Sequence, residues 1–253
     1  MTVTALPAFT VAFFLVFARV GAMVMLLPGL GERSTPGRLR LTLALLITLI
    51  MLPSVRPLIK VDVNALESVL PVFAMELVIG LMLGLVARFT LAALQVAGVV
   101  IAQQLGLAFA MMVDPNQGGQ SVVIGNFLSI LGITLIFVTD LHHLGIAAIH
   151  DSYRVLDPGS LPPSGDAAEL IIKSMAAAFA LGIQISAPFL VFSIVFNLGL
   201  GVLSRLMPQL QVFFLAMPAA IILGIFVLIA LLALMMGLFL SSTESALSSL
   251  LAQ

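Results

Sequence analysis

There is no cysteine in this chain, and charge is nearly as scarce: of 253 residues only 8% are Asp, Glu, Lys or Arg. Without cysteine there can be no disulfide, no thiolate metal ligand and no cysteine nucleophile, and the redox compartment stays open. Ten basic residues stand against eleven acidic ones, so no basic field exists to hold nucleic acid. Disorder needs low hydrophobicity and high charge, whereas 62% of these residues are hydrophobic. A soluble domain is about half apolar and a quarter charged; a mean hydropathy of +1.27 therefore excludes a water-soluble globule. Alternating strand patterns are also lacking, so helices and not a barrel must satisfy the backbone inside a bilayer. No Gly-x-Ser-x-Gly elbow, P-loop or dinucleotide fingerprint is present, which leaves no catalytic apparatus and no cofactor site in view. No internal repeat of 20–50 residues is visible. These absences leave an all-α integral membrane protein, with residues 1–253 as a single helical membrane domain of six to eight apolar segments.

A bilayer core about 30 Å thick needs roughly 20 apolar residues as helix. The first stretch runs from about Ala5 to Leu30 and contains Arg19. No Lys or Arg precedes it, so the basic start of a cleaved signal peptide is missing and the segment is expected to stay in the mature protein. Leu39 to Leu52 is short for a span and ends before Pro53. Val69 to Ala87 holds Glu76, and Phe89 to Val113 holds Gln95, Gln103 and Gln104. After the polar, glycine-rich break from Asp114 to Ser121 comes Val122 to Thr139. The region from Asp140 to Lys173, with Pro158, Pro162 and Pro163, reads as a loop or a set of short turns. Ser174 to Ser204 would be about 46 Å as one helix, with a break or bend expected near Pro188. Leu206 to Thr243 would be about 57 Å, with breaks expected at Pro208 and Pro218.

Orientation by the positive-inside rule is only partly consistent. The loop carrying Arg33, Arg38 and Arg40 against Glu32 faces the cytoplasm. Two crossings later Arg88 is cytoplasmic again. Two further apolar stretches then return the 140–173 region to the same side, although it holds only Arg154 and Lys173 as basic residues. Some stretches are therefore expected to be hairpins packed on protein, where irregular backbone at membrane depth is tolerated.

Arg19 and Glu76 sit inside apolar stretches, where each costs about 2.5–3.5 kcal/mol at a bilayer centre unless it finds a partner or water. A structural ion pair or a carbonyl-capping contact is the favoured reading, since a proton relay needs a chain of ionisable groups. Two ladders at four-residue spacing, Glu76-Gly80-Gly84-Arg88 and Gly98-Ala102-Gly106-Ala110, put small residues on one helix face. There backbones approach closely, within the chain or towards other subunits. Asp140, His142, His143, His150 and Asp151 hint at a metal site. His143 and His150 share a helix face, but seven residues is not the close spacing of zinc helices, so histidines at a membrane interface are expected and no metal. Met111-Met112-Val113-Asp114-Pro115, followed by Gly118 and Gly119, puts two soft thioethers ahead of a helix-ending Asp-Pro and a flexible turn. That pattern suits a plain helix connection or a compliant seal in a pore.

Taken in order, Arg19-x-Gly21, Pro28 and Pro36 around the basic loop, Glu76-x3-Gly80-x3-Gly84, Gly98 through Gln103-Gln104 and Gly106, and Asp114-Pro115 resemble the FliR family. This is a component of the flagellar protein-export gate, with a related component in type III secretion injectisomes. The resemblance covers nearly the whole chain. It implies helices in hairpins, as part of a right-handed helical complex with FliP-like and FliQ-like subunits, together with a FlhB-like subunit, in the bacterial inner membrane. It implies unfolded flagellar subunits as the exported cargo, and no ATP site in this chain. The family's plug loop maps onto roughly Gly106 to Ser121, including Asp114, Pro115, Gly118 and Gly119; that Phe109, Met111 and Met112 face the pore within it is expected from the softness of their side chains and not from the resemblance. Arg19, Gly21, Pro28, Glu76, Gly80, Gly84, Gly98 and Ala102 are expected at helix-docking or subunit-assembly faces.

Two other readings compete. A small multi-pass permease of a small solute would use helices broken by Gly and Pro, but such transporters often show paired halves and none is visible here. An intramembrane metal hydrolase would depend on the histidine cluster and on stoichiometric zinc.

Overall fold

The computed structural model describes residues 5–32, 35–59, 66–107, 120–160, 164–207 and 212–251. Among them the regular structure is α-helix, with one short 3-10 turn, Arg56–Leu58, and no strand. The helices are α1 (Ala5–Leu26), α2 (Gly37–Val55), α3 (Leu66–Gln104), α4 (Gln120–Val138), α5 (Leu141–Val155), α6 (Ser164–Leu206) and α7 (Val212–Leu251). Five are long and apolar enough to cross a membrane, and the pair α4 and α5 qualifies jointly as a sixth, broken span. The protein is an all-α integral membrane protein.

Several sequence-based boundaries are corrected. The stretches on either side of Arg88 are one uninterrupted helix, α3, of 39 residues, about 58 Å long. A single arginine does not end a helix when its side chain reaches outward, and Arg88 is 40% exposed and 3.4 Å from Glu32. Glu67–Gln104 is therefore one candidate span and not two, which removes the count that returned the 140–173 region to the side of the basic loop. That region is also not a mere loop: α5 occupies Leu141–Val155 and α6 begins at Ser164. Its mean hydropathy hides an amphipathic helix, with Gly145, Ala148, Ile149, Ser152 and Tyr153 buried at the spacing of one face.

The prolines break less than expected. Pro53 lies inside α2, Pro188 inside α6 and Pro218 inside α7. Each removes one backbone donor, a loss membrane helices tolerate because neighbouring groups re-satisfy the freed carbonyl. Pro208 lies outside the described residues.

The chain divides into two compact units: Met1–Thr90, Ile136–Ala176 and Thr243–Gln253 form the first, and Leu91–Leu135 and Ala177–Ser242 the second. The core of the first is built from Val16, Val20 and Met23 of α1, Ala44 and Ile47 of α2, Ile79 and Leu83 of α3, Ile149 and Tyr153 of α5, and Leu247 of α7. In the second, Leu94 and Ile101 of α3, Leu128 of α4, Phe189 of α6 and Phe239 of α7 are fully buried. Outward faces are strongly apolar, as at Leu46, Leu49 and Ile50 of α2 and Ile194, Val195 and Leu198 of α6. Apolar surface on that scale suits lipid or partner helices, not water.

Candidate functional site

The first unit is organised around a buried charge. Arg19, in α1, and Glu76, in α3, are 0% and 1% exposed. Arg19 Nε donates to Glu76 Oε2 at 2.7 Å and Nη2 to Oε1 at 2.9 Å, the two-pronged geometry that guanidinium and carboxylate favour. The remaining donors are also used: Nη1 reaches the Ser152 carbonyl at 3.1 Å and its hydroxyl at 3.2 Å, and Nη2 reaches the Leu156 carbonyl at 3.2 Å. Glu76 Oε1 accepts a further bond from the Gly159 N–H at 3.2 Å. The guanidinium lies 4.0 Å from the centre of the Tyr153 ring, whose hydroxyl donates to the Val16 carbonyl at 3.4 Å. A buried pair is tolerable only when its remaining hydrogen-bonding capacity is met, and here it is met by α5 and the turn that follows it. The network is a staple of α1, α3 and α5.

The spacing of four that joins Glu76 to Gly80 and Gly84 brings α1 against this face of α3. A Cβ added at Gly80 would overlap the Arg19 carbonyl oxygen and stand 2.9 Å from Ala22 Cβ. One added at Gly84 would meet Leu26 Cβ at 2.8 Å and Met23 Cα at 3.3 Å. These two glycines are thus occupied by this chain's own α1. Gly21 is buried, yet a Cβ there would meet only Phe17 of the same helix, at an ordinary 3.7 Å. Pro28 lies in the turn after α1, buried, and lines a small apolar crevice with Leu27, Ala87 and Gly145.

The second unit repeats the device without charge. A Cβ on Gly98 would overlap the backbone of Gly125, so α3 and α4 touch backbone to backbone. Beside that contact Gln95 Nε2 donates to Ser129 Oγ at 2.8 Å and to Asn126 Oδ1 at 3.4 Å. Ala102 is fully buried. Gly106 ends α3 with φ 74°: its N–H bonds the Gln103 carbonyl at 3.1 Å and the Leu107 N–H the Ala102 carbonyl at 3.0 Å. This crossed pair of bonds is the Schellman termination, whose left-handed residue is normally glycine. Next to it Gln103, Gln104, Ser193 and Asn197, with Phe196 and Met217, line a cleft of ≈ 290 Å³.

Of the residues expected at a pore plug, Gly106 alone is described; Phe109, Met111, Met112, Asp114, Pro115, Gly118 and Gly119 lie outside the described residues. The histidines group differently from their sequence spacing. Asp140, His142 and His143 converge, while His150 pairs with Asp151 at 3.1 Å. Sequence reasoning missed Ser152, Tyr153, Leu156 and Gly159 as partners of the buried pair. The signal for the first two was the buried-face spacing of α5; two backbone groups in a turn leave no side-chain signal at all.

Comparison with known proteins agrees with this architecture. Residues 10–246 match the family model described as bacterial export proteins, family 1. The chain is 45% identical over 211 residues to the flagellar biosynthetic protein FliR of Caulobacter vibrioides, covering 83% of this chain and 84% of that one. It is 32% identical over 223 residues to FliR of Bacillus subtilis, covering 86% and 85%. Yop proteins translocation protein T of Yersinia pestis is similar at 28% over 211 residues, covering 81% and 80%. With its apolar spans, this multi-pass protein of the bacterial inner membrane and flagellar basal body belongs to the bacterial export proteins, family 1, the FliR family of flagellar biosynthetic proteins, a structural family of the export apparatus and not an enzyme family.

Proposed function

We propose that this chain helps to form and close the channel through which unfolded flagellar subunits leave the cytoplasm. It does so as one subunit of a right-handed helical gate with FliP-like and FliQ-like partners and a FlhB-like subunit. Family membership supports the setting. The observation that carries the finer reading is the end of α3. There a glycine with φ 74° stops a 39-residue apolar helix beside a cleft lined by the neutral carboxamides of Gln103, Gln104 and Asn197. Carboxamides both donate and accept hydrogen bonds, so this cleft is polar without favouring cargo of either charge. The chain leaves that point towards Phe109, Met111, Met112 and the glycines 118 and 119, whose soft or pliant character suits a closing element. The role of those residues rests on sequence alone.

The first test is recovery of the tagged chain from its own membranes in mild detergent, with mass spectrometry of what accompanies it. A discrete complex containing FliP-like and FliQ-like chains is expected; a monodisperse chain recovered alone overturns the gate assignment. The second test deletes residues 116–119. Closed membranes carrying the assembled variant should leak ions, and an assembled complex with unchanged conductance refutes the closing role.

A further inference from the structure

The corner between α4 and α5 holds a group of side chains that the export reading does not use. Asp140 stands there with φ 59°, the one described non-glycine residue with a positive φ. Aspartate tolerates this left-handed conformation better than most residues, and it returns the Asp140 carboxylate over the first turn of α5. The His143 N–H bonds the Asp140 carbonyl at 3.0 Å, and the His142 and His143 rings lie 4.1 Å apart. One ligating atom from each of Asp140, His142 and His143 falls within 4.8 Å of the other two.

Two details separate this from an ordinary polar corner. His143 Nδ1 and Asp140 Oδ1 are 3.6 Å apart, too long for a hydrogen bond. Two donors bound at about 2.1 Å to one tetrahedral cation stand roughly 3.4 Å apart. His142 is half-buried and its Nδ1 has no hydrogen-bond partner, so no protein contact competes for that ring nitrogen.

We infer that Asp140, His142 and His143 form a binding site for a divalent transition-metal cation of the Zn²⁺, Co²⁺ or Ni²⁺ kind. Two imidazoles and one carboxylate suit those ions; the harder Mg²⁺ and Ca²⁺ take oxygen-only sets. The side chains of Asp140 and His143 are 77% and 67% exposed, so they are free to close around an ion from a spread of up to 4.8 Å. Three protein ligands leave coordination positions open to water. A cation held here ties the start of α5 to the residue that precedes it.

The site is tested on the full chain, purified in mild detergent with a histidine-free tag and titrated with Co²⁺ and then Zn²⁺. Saturable one-to-one binding is expected, with visible d–d absorption from Co²⁺ that Zn²⁺ displaces. His143→Ala and Asp140→Asn, both at exposed side chains, should each weaken binding by about tenfold or more. His150→Ala, at the other imidazole-carboxylate pair, should leave it unchanged. Absence of saturable binding, equal affinity in His143→Ala, or a loss caused by His150→Ala each overturns the site.

Discussion

The two ends of α3 both dock through glycine, with different chemistry beside it. Around Glu76, Gly80 and Gly84 the helix meets α1 through two glycines and a fully buried ion pair. Around Gln95 and Gly98 it meets α4 through a glycine-on-glycine contact and neutral side-chain hydrogen bonds. In lipid there is no hydrophobic drive between helices, so close packing and interhelical hydrogen bonds carry association. Two glycines four residues apart supply the packing at the first end and the Gly98–Gly125 contact supplies it at the second, whereas Gly106 faces open space. The polar group beside each contact sets what is lost when the contact fails, because a charge left unpaired at depth costs far more than an amide left unpaired.

The largest effect therefore belongs to the charged end. Glu76→Ala strands the Arg19 guanidinium in a site with 0% exposure, and breaking a buried pair from one side costs about 3–5 kcal/mol. Equilibrium unfolding of the detergent-solubilised protein, or its level in membranes, reads this directly. Replacing both partners (Arg19→Met with Glu76→Leu) should restore much of the stability, since apolar groups of similar volume can substitute for a buried pair. A double variant as unstable as either single one would show that the Ser152, Leu156 and Gly159 contacts, not the pair itself, hold this end together.

Glycine substitution comes next. Gly80→Ala and Gly98→Ala both drive a Cβ into backbone, not into the end of a flexible side chain, and overpacking of that kind costs about 1–3 kcal/mol. The two should differ in coupling. Gly80→Ala pushes on Arg19 itself, so combined with Glu76→Ala its cost should fall well short of additive. Gly98 lies 22 residues beyond Glu76 and shares no contact with it, and sites without shared partners add. Equal coupling at both positions would erase the distinction between the ends.

Much of this was legible before any coordinates. Arg19 and Glu76 stood out because charge inside an apolar run demands a partner, and Gly80, Gly84 and Gly98 because a repeat of four marks one helix face. What escaped was what hydropathy does not encode. Arg88 looked like a boundary, yet it turns outward towards Glu32 and α3 continues past it. Helix α5 looked like a loop because its outward positions, among them His143, Asp151 and Arg154, lower the average while its inward face packs against α1. Pro218 looked like a break, yet α7 continues through it, and α6 likewise continues through Pro188. Asp140, His142 and His143 were visible as part of a larger cluster, but residue spacing does not announce the left-handed Asp140 at the corner or that His150 pairs apart from them.

The smallest effect tests the neutral end most sharply. Gln95→Leu removes the donor to Ser129 Oγ, and hydrogen bonds between membrane helices average about 0.6 kcal/mol in double-mutant cycles because the unfolded chain in lipid finds other partners. Ser129→Ala should cost about as little, and the cycle combining the two isolates their mutual term. A coupling near that average would mean that Gln95 adds register to a contact made chiefly by Gly98 and Gly125. A coupling approaching the 3–5 kcal/mol expected from breaking the buried pair would instead show that the carboxamide network holds its end as firmly as the ion pair holds the other, and charge would no longer explain the difference between them.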